Sequence, residues 1–160
     1  MDGGASLKVV SKAAPSVDQV KFKWGKGPTV PKTDFGGPGT LTTYRLCVYR
    51  GDNTLVYHGQ PVGGSCGTVP CWKPLATGWK FTSKTGGPDG MTKIALKHGL
   101  LPLKAKLQAQ AKGDLALPAV LQLQLNVVAQ LRTSDGRCWG ATFASPAKND
   151  ATQFSAKSNH

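Results

Sequence analysis

The side chains of this chain best suited to chemistry are its four cysteines, three histidines and eight aspartates, because glutamate is absent. Cys66 and Cys71 lie in "GGSCGTVPCWK", with Cys47 upstream and Cys138 far downstream. Structural zinc favours paired knuckles of closely spaced cysteines, and dithiol redox centres favour two intervening residues. The four residues between Cys66 and Cys71 fit neither, and the nearest histidine, His58, is remote from the pair in sequence. An even number of cysteines allows three pairings. The spacing predicts disulfides, Cys66 with Cys71 around a Gly and Pro turn and Cys47 with Cys138, which occupy middle positions of two strands. The second bridge would close a long loop and contribute about 4 kcal/mol in the chain-entropy picture. Oxidised cysteines imply a secreted, periplasmic or cell-surface setting.

Acid and base groups are sparse. A glycosidase would need two aspartates, yet Asp2, Asp52, Asp89 and Asp135 sit at the terminus or in turn sequences. With His160 terminal, His58 and His98 remain, and a lone strand histidine reads as structural or exposed. No GxSxG elbow, HExxH or phosphate-cradling GxxxxGK[ST] occurs. No catalytic residue, metal or cofactor is therefore expected. An enzyme of unfamiliar type would require a cleft holding His58 or His98 beside an aspartate.

Aromatic residues carry the remaining signal for a ligand. Phe22, Trp24 and Trp139 fit core positions. Trp72 follows the cysteine loop and Trp79 follows Gly78, so these two are the candidates for exposed rings that stack on sugar faces. Tyr49, Tyr57, Lys73 and Lys80 complete the candidate ligand site.

Lys and Arg total 20 against eight acidic residues, a net charge of +12. Such a charge attracts nucleic acid, anionic polysaccharide or an anionic membrane surface, with screening over roughly 8 Å at physiological salt. Only Arg45, Arg50, Arg132 and Arg137 supply the bidentate fork that phosphate and base recognition uses, which disfavours dedicated nucleic-acid binding. No apolar run is long enough for a spanning helix, so no transmembrane segment is expected. The start, "MDGGASLKVV", lacks the basic and then apolar order of a signal peptide and reads as the beginning of a mature chain or an excised domain.

The elements that must position these residues are short strands. "QVKFKW" alternates strictly, with Val20, Phe22 and Trp24 on one face and Lys21 and Lys23 on the other. "LTTYRLCVYR" alternates likewise and forms a hairpin with "TLVYHG" across the turn "RGDN". "GWKFTSK" and "TKIALKHG" follow, separated by "TGGPDGM". In "AKLQAQAKG" helix propensity opposes a period of two, and the period predicts a strand. "VLQLQLNVVAQL" and "RCWGATF" close the series. About nine or ten short strands with Gly and Pro turns predict an all-β fold, a two-sheet antiparallel sandwich or jelly-roll-like arrangement. One domain over residues 6–157 is expected, with tails at 1–5 and 158–160. Lysines recur on the polar side of these strands, where they keep faces soluble and edges from pairing.

Taken together, "YRLCVYR", "GGSCGTVPCWK", "GWKFTSKTGGPDGMTKIALKHG" and "CWGATFASPAKNDATQFSAK" resemble a largely uncharacterised domain of secreted or surface bacterial proteins. That family has a CxxxxCWK loop, a TPDG-like turn and a CWxATF strand. The resemblance implies an extracytoplasmic β-rich module, often part of a larger protein, and no transferable catalytic residue. Phe81 and Gly140 depart from its pattern, where Tyr and an acidic residue are common. The function expected is a non-catalytic module for adhesion, assembly or structure, able to self-associate into oligomers or filaments. The alternative is a carbohydrate-binding module for acidic or neutral glycans using exposed tryptophans.

Overall fold

The alternation of Val20, Phe22 and Trp24 with lysines builds strand β2 (Asp18–Gly25), whose apolar residues are all buried. The computed structural model describes residues 3–12 and 18–158, and among these the chain is all-β apart from a single 3₁₀ turn at Lys32–Phe35. β1 (Gly4–Val10) precedes β2. The hairpin read across "RGDN" forms as β3 (Tyr44–Tyr49) and β4 (Leu55–Gly59), with Val48 opposite Tyr57. Two-residue strands β5 (Ser65–Cys66) and β6 (Val69–Pro70) flank the cysteine loop, and β7 (Trp72–Leu75) pairs with β8 (Gly78–Thr82). β9 (Met91–Lys97) and β10 (Lys106–Gly113) follow. The last four are β11 (Val127–Thr133), β12 (Cys138–Phe143), β13 (Pro146–Asn149) and β14 (Gln153–Ser158).

Long antiparallel ladders join these strands into an eight-stranded sheet ordered β13-β14-β1-β2-β10-β9-β8-β7 and a four-stranded sheet ordered β12-β11-β3-β4. Inward residues of both sheets share one core. Tyr44 of the smaller sheet meets Trp72 of the larger at 5.3 Å between ring centroids, and Trp72 meets Phe81 at 5.4 Å. Fully burying each such aromatic or aliphatic side chain contributes on the order of 2 kcal/mol. The sandwich expected from the period-two pattern is thus formed, with fourteen strands among the described residues rather than nine or ten. The additional ones include β5, β6, β7 and β13, too brief to show alternation, together with β1 and β14, which alternate but are not among the strands expected from the sequence.

Three expectations are corrected. Residues 120–126 belong to no strand and end in a bend at Leu125 and Asn126: Leu121 and Leu123 are buried, whereas Leu125 is 46% exposed. Side-chain and loop groups replace the ladder here. The Asn149 carboxamide accepts from the Leu123 N–H and donates to its carbonyl, both at 2.9 Å, and the Gly51 N–H donates to the Gln124 carbonyl at 3.1 Å. At Gly51 a Cβ would collide with the Leu125 carbonyl oxygen, so the "RGDN" turn docks because that residue is glycine. Gly4, Ala5 and Ser158, expected in the tails, are strand residues, with Ala5 opposite Ser158, while residues 1, 2, 159 and 160 lie outside the described residues. Finally, Cys66 and Cys71 are bonded, but Cys47 and Cys138 are not joined. Strand β11 lies between their strands, with Cys47 opposite Gln130 and Cys138 opposite Arg132. Two strand spacings of about 5 Å each exceed the Cα separation that a disulfide tolerates.

Candidate functional site

The six residues proposed as a ligand site do not converge. Trp72 is only 8% exposed, wedged between Tyr44 and Phe81, because its position in β7 points inward opposite Phe81. Trp79 is half-buried against the same core. Tyr57 is buried and donates its hydroxyl to the Asp89 carbonyl at 2.7 Å. Tyr49 is half-buried on the outer face of the smaller sheet, where a hydrogen bond with Cys47 raises its phenol above the ordinary range. Only Lys73 and Lys80 share an exposed face, directly opposite each other on β7 and β8. No stacking platform is formed by the named tryptophans.

The thiols are poor nucleophiles. Burial pushes the Cys138 thiol above its usual range, and Cys47 lies buried within β3. A cleft of about 320 Å³ does hold His58 with Asp89 and Asp114, as an unfamiliar enzyme would require. Its groups serve the fold, however. Asp89 Oδ2 accepts from the Gln60 N–H at 2.9 Å, and the cleft lining contains no serine, threonine or cysteine. Nothing in the lining offers a Ser, Thr or Cys nucleophile beside His58.

The strongest chemical feature is one that single-strand reading underweighted: the outer face of the larger sheet. Because each strand alternates, the lysines and glutamines of β1, β2, β10, β9, β8, β7 and β14 project to the same side, whereas Asp18 of β2 is buried on the opposite face. Across one row stand Lys157, Ser6, Lys23, Gln108, Ala95, Lys80 and Lys73; across the next stand Ser155, Lys8, Lys21, Gln110, Lys93 and Thr82. Lys106 and Lys97 face each other in a third row, and Lys112 stands opposite Gln19. No carboxylate and no aromatic ring lies among these outward positions. The three ion pairs among the described residues involve Arg50, Arg137 and Lys148, never a lysine of these rows.

Register gives this face its unusual character. Lys8 opposes Lys21, Lys106 opposes Lys97, and Lys73 opposes Lys80. Like charges directly opposite destabilise a sheet, so the face holds electrostatic repulsion that an anion would relieve. At one end the sheet opens into a groove of about 780 Å³, lined by Lys23, Lys26, Lys97, Lys106 and Lys157 together with Ser6, Gln108 and Ser158. No acidic residue lines it. Cationic heads on flexible stems beside amide and hydroxyl groups can hold several carboxylates or sulfates and hydrogen-bond neighbouring hydroxyls.

Compared with known proteins, the chain matches no family model, no curated protein and no solved structure.

Proposed function

We propose that this is a non-catalytic adhesion module of an extracytoplasmic bacterial protein, attaching to acidic polysaccharide through the lysine face of its eight-stranded sheet. The observation that carries the proposal is the set of directly opposed lysine pairs, Lys8 with Lys21, Lys106 with Lys97 and Lys73 with Lys80, without carboxylates among them. A sequence selected for stability alone would place opposite charges there. The Cys66–Cys71 bridge supports the oxidising compartment, as does the resemblance of the cysteine and CWxATF motifs to secreted bacterial domains.

Acidic polysaccharide suits the face better than nucleic acid. Single strands are usually held by aromatic platforms, and the outward positions have none. Duplex grooves are entered by helices or protruding ribbons, whereas this face is a broad sheet. Edge-to-edge assembly finds less support, because both edge strands of the larger sheet carry a proline, Pro74 in β7 and Pro146 in β13. Because Trp72 is buried and Trp79 half-buried, charge rather than exposed tryptophan carries the glycan recognition proposed. A glycan array read at two salt concentrations tests the proposal: carboxylated or sulfated glycans should bind in a salt-sensitive manner, and binding confined to neutral glycans would refute it.

A further inference from the structure

The loop between β9 and β10 exposes three leucines at its tip. Leu100, Leu101 and Leu103 are 68%, 64% and 58% exposed, a cluster of apolar surface of the kind that marks an interaction site. The loop is held rigidly. Val30 and Gly99 exchange backbone hydrogen bonds of 3.0 and 2.9 Å, and the Leu103 N–H donates to the Gly27 carbonyl at 2.8 Å. Leu103 adopts a φ of 68°, a left-handed conformation that glycine would enter freely and a bulky residue enters at a cost. A leucine is thus kept in a strained position with its side chain in water.

The charged side chains beside the loop are lysines. Lys97, Lys104 and Lys106 lie in or beside the loop, Lys26 stands across from it, and all four are exposed. The β7–β8 turn reaches the same end, where the His98 N–H donates to the Thr77 carbonyl at 2.8 Å, and it adds Leu75, 44% exposed. No aspartate falls between residues 97 and 112.

We infer that this end of the sandwich docks on an anionic lipid bilayer, with Leu100, Leu101 and Leu103 entering the acyl boundary while the lysines meet the headgroups. A convex apolar tip ringed by cations matches a surface that is anionic outside and apolar beneath. Stable attachment at membranes takes two such signals, and each basic side chain near an anionic surface adds to the apolar term. The site goes beyond polysaccharide binding: it shares Lys26, Lys97, Lys106 and Leu103 with the groove, but Leu100 and Leu101 belong to it alone.

Co-sedimentation with vesicles tests this. The protein should bind vesicles of phosphatidylcholine and phosphatidylglycerol at a ratio of about two to one and ignore phosphatidylcholine alone. The double variant Leu100→Ser, Leu101→Ser should lose more than about tenfold in partitioning while keeping its melting temperature and its polysaccharide binding. In an otherwise unchanged protein, Leu101→Trp should shift its emission to the blue on vesicle binding and be quenched by brominated acyl chains. The inference is overturned if the serine variant partitions like the parent, if Trp at 101 stays in water, or if the parent ignores anionic vesicles. A concentration-dependent dimer that the serine substitutions abolish, without vesicle binding, would also overturn it and assign the tip to a second copy of the chain.

Discussion

Lys8 and Lys21 stand directly opposite each other across β1 and β2, both on the outer face of the sheet, and neither belongs to any ion pair among the described residues. Lys21→Glu converts this repulsion into an attraction. It should raise stability by about 0.2–1 kcal/mol, measured as a higher urea midpoint, while weakening affinity for acidic polysaccharide. Opposite signs for stability and binding are the signature of a charge kept for function. A loss of stability would show that the pair does not repel.

Trp72→Ala should cost about 3–5 kcal/mol, the usual range for truncating a large buried aromatic. Its ring lies between Tyr44 and Phe81. Trp79→Ala, from a half-buried position, should cost less, and neither folded variant should lose polysaccharide binding. Thermal unfolding with a parallel binding titration separates these effects.

The Cys66–Cys71 bridge closes a very short loop, with a sequence separation of five. Replacing both cysteines with serine should cost only about 2 kcal/mol by loop entropy, and the far-ultraviolet spectrum of the large sheet should persist. Collapse of the whole fold on reduction would contradict a local role.

Alkaline pH should unfold the protein through two buried phenols. Burial is the main cause that raises Tyr44 and Tyr57 far above the ordinary phenol value of 10.0, with nearby Asp135 acting on the first and Asp89 on the second in the same direction. The folded state therefore holds these protons more tightly than the unfolded chain. Stability is fully present below pH 10.0, the unfolded value, and falls as pH rises above it. Tyr44→Phe removes the Tyr44 share of this drive but also the 2.8 Å hydrogen bond to the Phe35 carbonyl. Its curve should be lower at neutral pH and flatter at high pH, followed by circular dichroism alongside phenolate absorbance.

Much of the fold was legible because a period of two survives contrary propensity. "AKLQAQAKG" forms β10 with Leu107, Ala109 and Ala111 buried, since burying that face outweighs weak helix preference. The same rule overreached at 120–126, where the pattern is equally regular but Asn149, distant in sequence, supplies the hydrogen bonds in place of a neighbouring strand. Trp72 was misplaced outside the core because proximity to a loop says nothing about which face of β7 it occupies. Cys47 lies mid-strand in β3 whereas Cys138 opens β12, and only strand order reveals that β11 separates them. The lysines themselves were visible as the polar halves of amphipathic strands. That they oppose one another follows from register, which a single sequence does not state.

The central claim concerns the lysine face, and affinity for a sulfated polysaccharide titrated across salt concentration tests it most directly. The parent protein should bind with an affinity that falls steeply as salt rises. The variant Lys8→Gln, Lys21→Gln, Lys93→Gln should bind about tenfold more weakly with a shallower salt dependence and an unchanged fold. Equal affinity in parent and variant, or equal binding of an uncharged polysaccharide, would contradict the assignment.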